Sequence, residues 1–392
     1  MHNHCINKLL NIKGVIVKKV IHADFYVKIF IETKPRIHTC PTCGLDTKRI
    51  HDYRMQTIKD LPFQTKQCLL VLRKRRYVCS CGKRFAESYD FLPRYFQRTS
   101  RLTAFIASQL HSTISISSVS QRAGVSTATV GRILDTISFG RHSFGEVLSI
   151  DEFKGNAQEE KYQCILVDPT KHKVLDILPD RKYANLASYF YSVPKSERYR
   201  VKFFCCDMWQ QYVDLAQIYF PNATIIIDKY HFIRQTSWAI EKVRKRLQKT
   251  MPANLRKYYK RSRSLILHRY ATLKPDQKEA CDLMLLYNDD LRKAHYLKEK
   301  FFEICQNPKY SEQRKDFFEW IKEAEISGLK EFEDCAKTYR NWSKPILHAF
   351  KYPHITNGPT EGFNNKIKVL KRTSYGIRNF KRFRTRILLA TH

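Results

Sequence analysis

Acidic side chains are scarce in this chain. Its 392 residues include 37 Asp and Glu against 71 Lys and Arg, a formal net charge of +34. A surplus of that size speaks to partners rather than to fold. Nucleic acid comes first, because each neutralised phosphate releases counterions and adds affinity; an anionic membrane surface is the rival. Long apolar runs are also lacking. None reaches the ~18 residues a spanning helix needs, and the first apolar stretch is broken by Lys8, Asn11 and Lys13, unlike a secretory leader. A cytoplasmic, nucleoid-associated protein is therefore expected, without a membrane partner. In a reducing compartment, closely spaced members of the twelve cysteines point to metal rather than disulfide. With 43% hydrophobic and 13% aromatic residues, a disordered polycation is excluded. The length suits two or three domains.

The shortage of acid is sharpest at the end. Glu361 lies in ITNGPTEGFNNKIKVLK, and no acid follows it. Nine basic residues do: Lys366, Lys368, Lys371, Arg372, Arg378, Lys381, Arg382, Arg384 and Arg386. A lone carboxylate in such surroundings suggests a metal ligand working beside a nucleic-acid backbone.

At the other end, GVIVKKV and FYVKIFIE have the β-branched, partly alternating character of a hairpin. Cys40-Pro-Thr-Cys43-Gly44 and Cys79-Ser-Cys81-Gly82 follow, separated by a stretch containing the β-like CLLVLRKRRYVC. A turn of this kind aims two thiolates at one point, with glycine supplying the positive φ. Four thiolates from two turns make a closed tetrahedral structural zinc site. The rival is four ordinary thiols, the role expected of Cys5, Cys68, Cys164, Cys205, Cys206, Cys281, Cys305 and Cys335. Arg73, Lys74, Arg75 and Arg76 suit a solvated strand edge and a phosphate-contacting ridge equally.

Residues 101–137 have helical periodicity. In SISSVSQRAGVSTATVGRILD, Val119–Ala123 and Thr127–Leu134 are two helices separated by Gly124-Val125-Ser126, with Ser126 a natural N-cap. This is a helix-turn-helix pattern, with Thr127, Thr129 and Arg132 on the exposed face of the second helix, placed to contact DNA. A plain helical hairpin is the alternative.

From residue 146 the pattern becomes α/β. VLSIDEF, YQCILVD, HKVLDIL, a helix, VKFFCCD, a helix, TIIID and a further helix give the element order of an RNase H-like fold. Residues from about 235 to 345 are helical and charged, an insertion before the last helix. Within residues 234–263, eleven basic side chains face one acid, Glu241, which suggests a DNA-facing surface. In such a fold the first strand, the fourth strand and a late helix gather acids at one sheet edge. Asp151, Asp207 and Glu361 fill those positions, with Asp228 and Glu152 competing. Clustered carboxylates repel unless a cation neutralises them, and oxygen-only ligands select Mg²⁺ or Mn²⁺. Such ions activate an attacking water or 3′-hydroxyl for in-line phosphoryl displacement. Surface or helix-capping acids are the alternative. Asn357, Gly358 and Thr360 shape the turn before Glu361, and Asn364, Asn365 and Lys368 share its face, where they would meet a DNA strand.

CPTCG…CSCGKRFAE, VSQRAGVSTATVGRIL, SIDEF, CCDMWQQY, DKYHFIRQ and TNGPTEGFNNKIKVLKRTSYGIRNF together make the chain resemble the DDE transposases of bacterial insertion sequences, ISL-three type, nearly end to end. The resemblance implies an α+β multidomain protein. Its parts would be a zinc-ribbon-like β domain over residues 1–95, a helix-turn-helix over 96–140, and an RNase H-like α/β catalytic core with its helical insertion over 141–392. It implies the triad Asp151, Asp207 and Glu361, Mg²⁺ dependence, strand cleavage and transfer at inverted-repeat ends of double-stranded DNA, and at least a homodimer on DNA. His231 and Arg244 are candidates for orienting a phosphate or the second Asp, or for plain core or solvated roles. A DNA-binding repressor with an inactive core and a nuclease that cuts without joining are the alternative functions.

Overall fold

The computed structural model describes residues 3–157, 160–261 and 263–391. The chain divides into two compact units, one of residues 1–140 with 366–392, the other of Arg141–Asn365.

The first unit opens with α1 (Asn3–Leu10) and a mixed sheet. Strands β1 (Val15–His22) and β2 (Tyr26–Thr33) form the antiparallel hairpin. The short pair β3 (His38–Thr39) and β4 (Asp46–Thr47) frames the first cysteine turn. Then come β5 (Ile50–Phe63), β6 (Lys66–Val78) and β7 (Arg84–Ala86), and the sheet order is β1-β2-β6-β5, with β7 on β6. Apolar residues at alternate positions, among them Val27, Ile29, Ile31, Leu70 and Leu72, bury one face. The stretch between the cysteine pairs is thus a long hairpin turning at Gln64, whose φ is +57°. Its first strand, IHDYRMQTIKDLPF, has too few apolar residues to signal itself.

Three helices follow, α2 (Ser100–Gln109), α3 (Ile116–Ala123) and α4 (Thr127–Thr136). Each has a hydroxyl N-cap: Thr99 accepts from the Leu102 N–H, Ser115 from Ser118 and Ser126 from Thr129. Gly124 ends α3 in the left-handed region at φ 62°.

In the second unit, β8 (Val147–Ala157), β9 (Glu160–Asp168) and β10 (Lys173–Leu178) form an antiparallel meander. After α5 (Tyr183–Ser192) and α6 (Lys195–Arg198), β11 (Phe203–Cys206) pairs parallel to β8. After α7 (Gln210–Tyr219), β12 (Thr224–Ile227) pairs parallel to β11. The sheet order β10-β9-β8-β11-β12 is the RNase H-like arrangement. β11 and β12 are short and wholly apolar apart from Thr224, as strands covered on both faces should be. α8 (Lys229–Gln248) leads into helices α9 (Ala253–Arg261) through α14 (Lys330–Asn341), packed around Phe232, Phe301, Phe317, Trp320 and Tyr339. α15 (Ser343–Lys351) returns to the sheet edge, where the Ile225 carbonyl lies 2.8 Å from His348 Nδ1.

The chain then forms α16 (Gly358–Thr373) and α17 (Phe380–Thr391). From Lys366 onward the tail groups with the first compact unit. Leu389 joins the helix-turn-helix core, Thr373 Oγ1 donates to the Thr113 carbonyl at 2.6 Å, and Arg382 pairs with Asp135 of α4 at 2.7 Å. Arg386 is fully buried and donates to the carbonyls of Leu110, Ser112 (3.1 Å) and Ile114 (2.7 Å), at and beyond the C-terminal end of α2. A guanidinium there completes orphan carbonyls and meets the negative end of the helix dipole. Local periodicity shows which face of a helix is apolar, not which partner covers it. We expect Arg386→Met to destabilise the first unit by about 2–4 kcal/mol in denaturant melts. A loss under about 0.5 kcal/mol would show that water satisfies these carbonyls instead.

Candidate active site and zinc centre

The zinc centre is built from two matched turns. Gly44 N–H donates to the Cys40 carbonyl at 3.0 Å, and Gly82 N–H to the Cys79 carbonyl at 3.0 Å. Both glycines have positive φ, +74° and +82°. The second turn closes one residue sooner, so its shorter cysteine spacing still aims both thiols inward. The four Sγ atoms lie within 4.8 Å of one another, with Cys40–Cys81 at 3.7 Å and Cys43–Cys79 at 3.5 Å. Tetrahedral zinc with Zn–S near 2.3 Å needs S–S of about 3.8 Å, so the group fits structural zinc. The Cys81 backbone N–H is the main cause holding the Cys79 thiol down at about 6, and the Cys43 N–H lowers Cys40. At Cys43 the Leu45 N–H is outweighed by sulfur hydrogen bonds with Cys81 and Cys79, and the thiol is pushed up to about 12. Cys68, Cys164, Cys205, Cys206, Cys281 and Cys335 are buried and Cys305 is half-buried; the Cys5 side chain lies outside the described residues.

Three members of the basic run before the second turn have partners within the fold. Arg75 is buried against Glu87 and Thr33, Arg76 pairs with Asp52 at 3.1 Å, and Arg73 lies 3.9 Å from the Tyr53 ring and 3.7 Å from Glu32. In the helix-turn-helix, Thr127 and Arg132 are exposed and Thr129 is half-buried. Thr129 is engaged locally, by Ser126 at 3.0 Å and Arg132 at 3.3 Å.

The carboxylates are set by strand register. Phe203 pairs with Val147 and Thr224, Phe204 with Leu148 and Ile225, and Cys205 with Ser149 and Ile226. Continuing that register puts Asp207 level with Asp151 and Asp228, so three neighbouring strands present an acid at one height. Asp228 N–H holds the level by donating to the Cys206 carbonyl at 3.0 Å. Glu361 sits in the first turn of α16, and one turn on, Asn364 Nδ2 donates to Asp151 Oδ2 at 2.9 Å. The helix is thereby tied to the first strand. Asp151 Oδ1 accepts from the Glu152 N–H at 2.7 Å.

Burial is the leading cause pushing Asp151 up to about 6, with Asp228 and Glu152 adding repulsion. Burial likewise pushes Asp207 up to about 7, helped by Asp151 and Glu152 and opposed by Arg181. Asp228 is raised by burial and by Glu361, while the Asn357 N–H pulls it back. These couplings join the four acids into one electrostatic group. They stop short of contact: among the described residues, the four cysteines are the one set of three or more ligating atoms within 4.8 Å. Several buried oxygens on these residues and on the turn before Glu361 have no partner, namely Asp207 Oδ1, Asn364 Oδ1, Asn357 Oδ1 and Thr360 Oγ1. Orphaned acceptors beside raised carboxylates fit a hard divalent cation.

Some sequence candidates are placed elsewhere. Arg244 is buried among the inserted helices, bonded twice to Glu241 at 2.8 Å, which is a core role. Asn364 is turned to Asp151 and buried, not presented to a strand of DNA, because its turn of α16 faces the sheet; Asn365 and Lys368 are exposed. His231 is half-buried, its pKa lowered by burial and then by Arg234. Arg181 carried no sequence signal. It clamps both Glu152 oxygens at 2.7 Å and lies 5.3 Å from the Trp209 ring.

A four-cysteine ribbon, a helix-turn-helix and an acid-edged RNase H-like sheet define an enzyme of phosphoryl transfer on DNA. Residues 148–387 match the ISL3-type DDE transposase family, residues 36–81 the zinc-finger of transposase IS204/IS1001/IS1096/IS1165, and residues 87–138 the helix-turn-helix domain of transposase family ISL3. The chain belongs to the ISL3 family of transposases. It is similar to the transposase for insertion sequence element IS1001 of Bordetella parapertussis, 28% identical over 378 residues, covering 93% of this chain and 91% of that one. A 90-residue stretch is 31% identical to an ATP-dependent protease of Lactococcus lactis subsp. lactis, covering 22% of this chain and 29% of that one. No described helix is long and apolar enough to cross a membrane.

Two measurements probe these centres. Cys43→Ser is expected to lose bound zinc by elemental analysis, and a zinc-free wild-type preparation would remove the ribbon assignment. A carboxylate with a raised pKa favours the fold while protonated. For Asp207 that contribution is complete below about pH 4 and is lost as pH rises through about 7. Without divalent cation, Asp207→Asn should therefore be more stable than wild type at pH 8 by roughly 1–3 kcal/mol, converging with it toward pH 4. Adding divalent cation at pH 8 should raise the melting temperature of wild type and leave the variant unmoved. Coincident cation-free melts at pH 8 would contradict the buried, crowded Asp207.

Proposed function

We propose that the chain binds the inverted-repeat ends of its insertion element through the helix-turn-helix and catalyses metal-dependent strand cleavage and joining with Asp151, Asp207 and Glu361. The observation that carries this is the Asn364–Asp151 bond, which ties the helix bearing Glu361 to the strands that put Asp151 level with Asp207. Asp151, Asp207 and Glu361 would hold divalent cation, Mg²⁺ being the hard-ligand choice, and Asp228 stands beside Glu361 as a fourth carboxylate. When bound, the ion supplies Lewis-acid charge neutralisation for an in-line phosphoryl displacement. Asn364 and the Glu152 N–H together fix the Asp151 carboxylate, one on each oxygen. Arg181 holds Glu152 and offsets the negative charge around Asp207.

A repressor reading is less favoured: a DNA-binding regulator gains nothing from burying carboxylates at a cost in stability. Joining two ends to a target requires at least a dimer on DNA. The test incubates full-length protein with Mg²⁺ and a duplex carrying the element's end. Wild type should give nicked and joined products. Asp151→Asn, Asp207→Asn and Glu361→Gln should bind as wild type while losing product by several kcal/mol of barrier, about a thousandfold. Cleavage with no joined product would establish a nuclease. An unaffected Glu361→Gln beside a dead Asp228→Asn would move the third ligand to Asp228.

A further inference from the structure

A groove of about 1000 Å³ lies within the first unit, between the long hairpin, the strap that leads into α2, and the start of α4. Lys59, Tyr95, Phe96, Arg98, Ser126 and Arg132 are among its walls. No acidic side chain is among the described residues that line it. The strap is anchored on both sides. Lys59 N–H donates to the Gln97 carbonyl and Thr99 N–H to the Lys59 carbonyl, at 2.9 and 3.0 Å. Lys59 Nζ crosses to the Gly124 carbonyl in the helix-turn-helix turn at 2.5 Å, so hairpin, strap and turn are one fixed wall.

The cations here differ from those elsewhere in the unit. Arg73, Arg75, Arg76, Arg101 and Arg382 are each paired with a carboxylate. Arg98 instead donates to the Thr103 hydroxyl at 3.0 Å and lies 4.7 Å from the Phe96 ring. Burial and the neighbouring Arg132 charge lower its pKa, so two guanidiniums are held near each other without an acid between them. Tyr95 is 86% exposed at positive φ, 67°, with the Arg94 guanidinium 4.9 Å from its ring. A non-glycine residue at positive φ carries a local cost, here at the position that puts an aromatic ring in solvent. Like charges gathered in an acid-free groove next to a presented aromatic ring match an anionic polymer with planar bases.

We infer that this groove extends the DNA-binding surface of the helix-turn-helix onto the strap, with Arg98 joining Arg132 in taking backbone phosphates and Tyr95 packing on a sugar or an unstacked base of the same strand. Chemically it needs nothing beyond DNA: phosphate meets guanidinium in charge-assisted hydrogen bonds, and an aromatic ring accepts any base face. The footprint on the DNA is then wider than the α4 contacts alone. The inference rests on the helix-turn-helix binding DNA, and it adds the strap residues to that surface.

The test measures affinity of the full chain for an end-carrying duplex and a scrambled duplex across a salt series. Arg98→Ala should lower the slope of log affinity against log salt by about 1 on both duplexes. Arg98→Lys should restore that slope. Tyr95→Ala removes an exposed ring and so leaves folding aside; it should weaken binding at least roughly fivefold, with an unchanged salt slope. If both variants bind both duplexes as wild type does, the groove is not a DNA site. If wild type shows no preference for the end duplex, the proposed end recognition fails. The groove then still stands or falls on the slope and the Tyr95 effect measured with the scrambled duplex.

Discussion

The structure of the catalytic unit depends on a repulsion. Asp151, Asp207 and Asp228 stand level on three neighbouring strands, two of which are nearly all apolar, and Glu361 approaches from a helix. The three aspartates are dry enough that their charge is disfavoured, with Asp151 pushed up to about 6, Asp207 to about 7 and Asp228 raised as well. A protein built for stability alone would place amides there. Mutual repulsion of this kind is what a hard divalent cation relieves. The neighbouring residues limit that cost: Asn364 donates to Asp151, the Asn357 N–H holds Asp228 down, and Arg181, bonded to Glu152, opposes the repulsion that Glu152 adds at Asp207.

Helix α16 serves both units in sequence. Its first turns carry Glu361 and Asn364 in the catalytic unit, and from Lys366 onward its residues count with the DNA-binding unit. Thr373, Arg382 and Arg386 then fasten the tail to the helix-turn-helix. The third acid of the proposed triad and the covering of the recognition helices are thus consecutive in sequence, with Arg382 reaching Asp135 on the very helix expected to contact DNA. A tail that looks like a loose polycation is part of a folded core.

The strands of the catalytic sheet were legible because each is an apolar run that ends abruptly, FFCC at Asp207 and TIII at Asp228. The zinc turns were legible because glycine and cysteine recur together. β5 was not, since a strand between a neighbour and solvent needs few apolar residues. The role of Asn364 was not either: its partner lies 213 residues away, and spacing on a helix reveals a face without revealing what meets it. Arg75 and Arg386 misled in the same way. In the sequence they are part of basic runs; in the fold they are the buried members, answering Glu87 in one case and backbone carbonyls in the other.

That distinction bears on how the net charge of +34 should be understood. Counterion release scales with the phosphates neutralised, not with formal charge. Arg75, Arg244 and Arg386 are buried, and Arg73, Arg76, Arg101, Arg246 and Arg382 are paired with acids, so none of these is a ready phosphate ligand. Several of the few acids of this chain fix arginines in place. Pairs of this kind cancel within the +34, so what matters for DNA is where cations stand without acids, and the groove beside α4 is such a place.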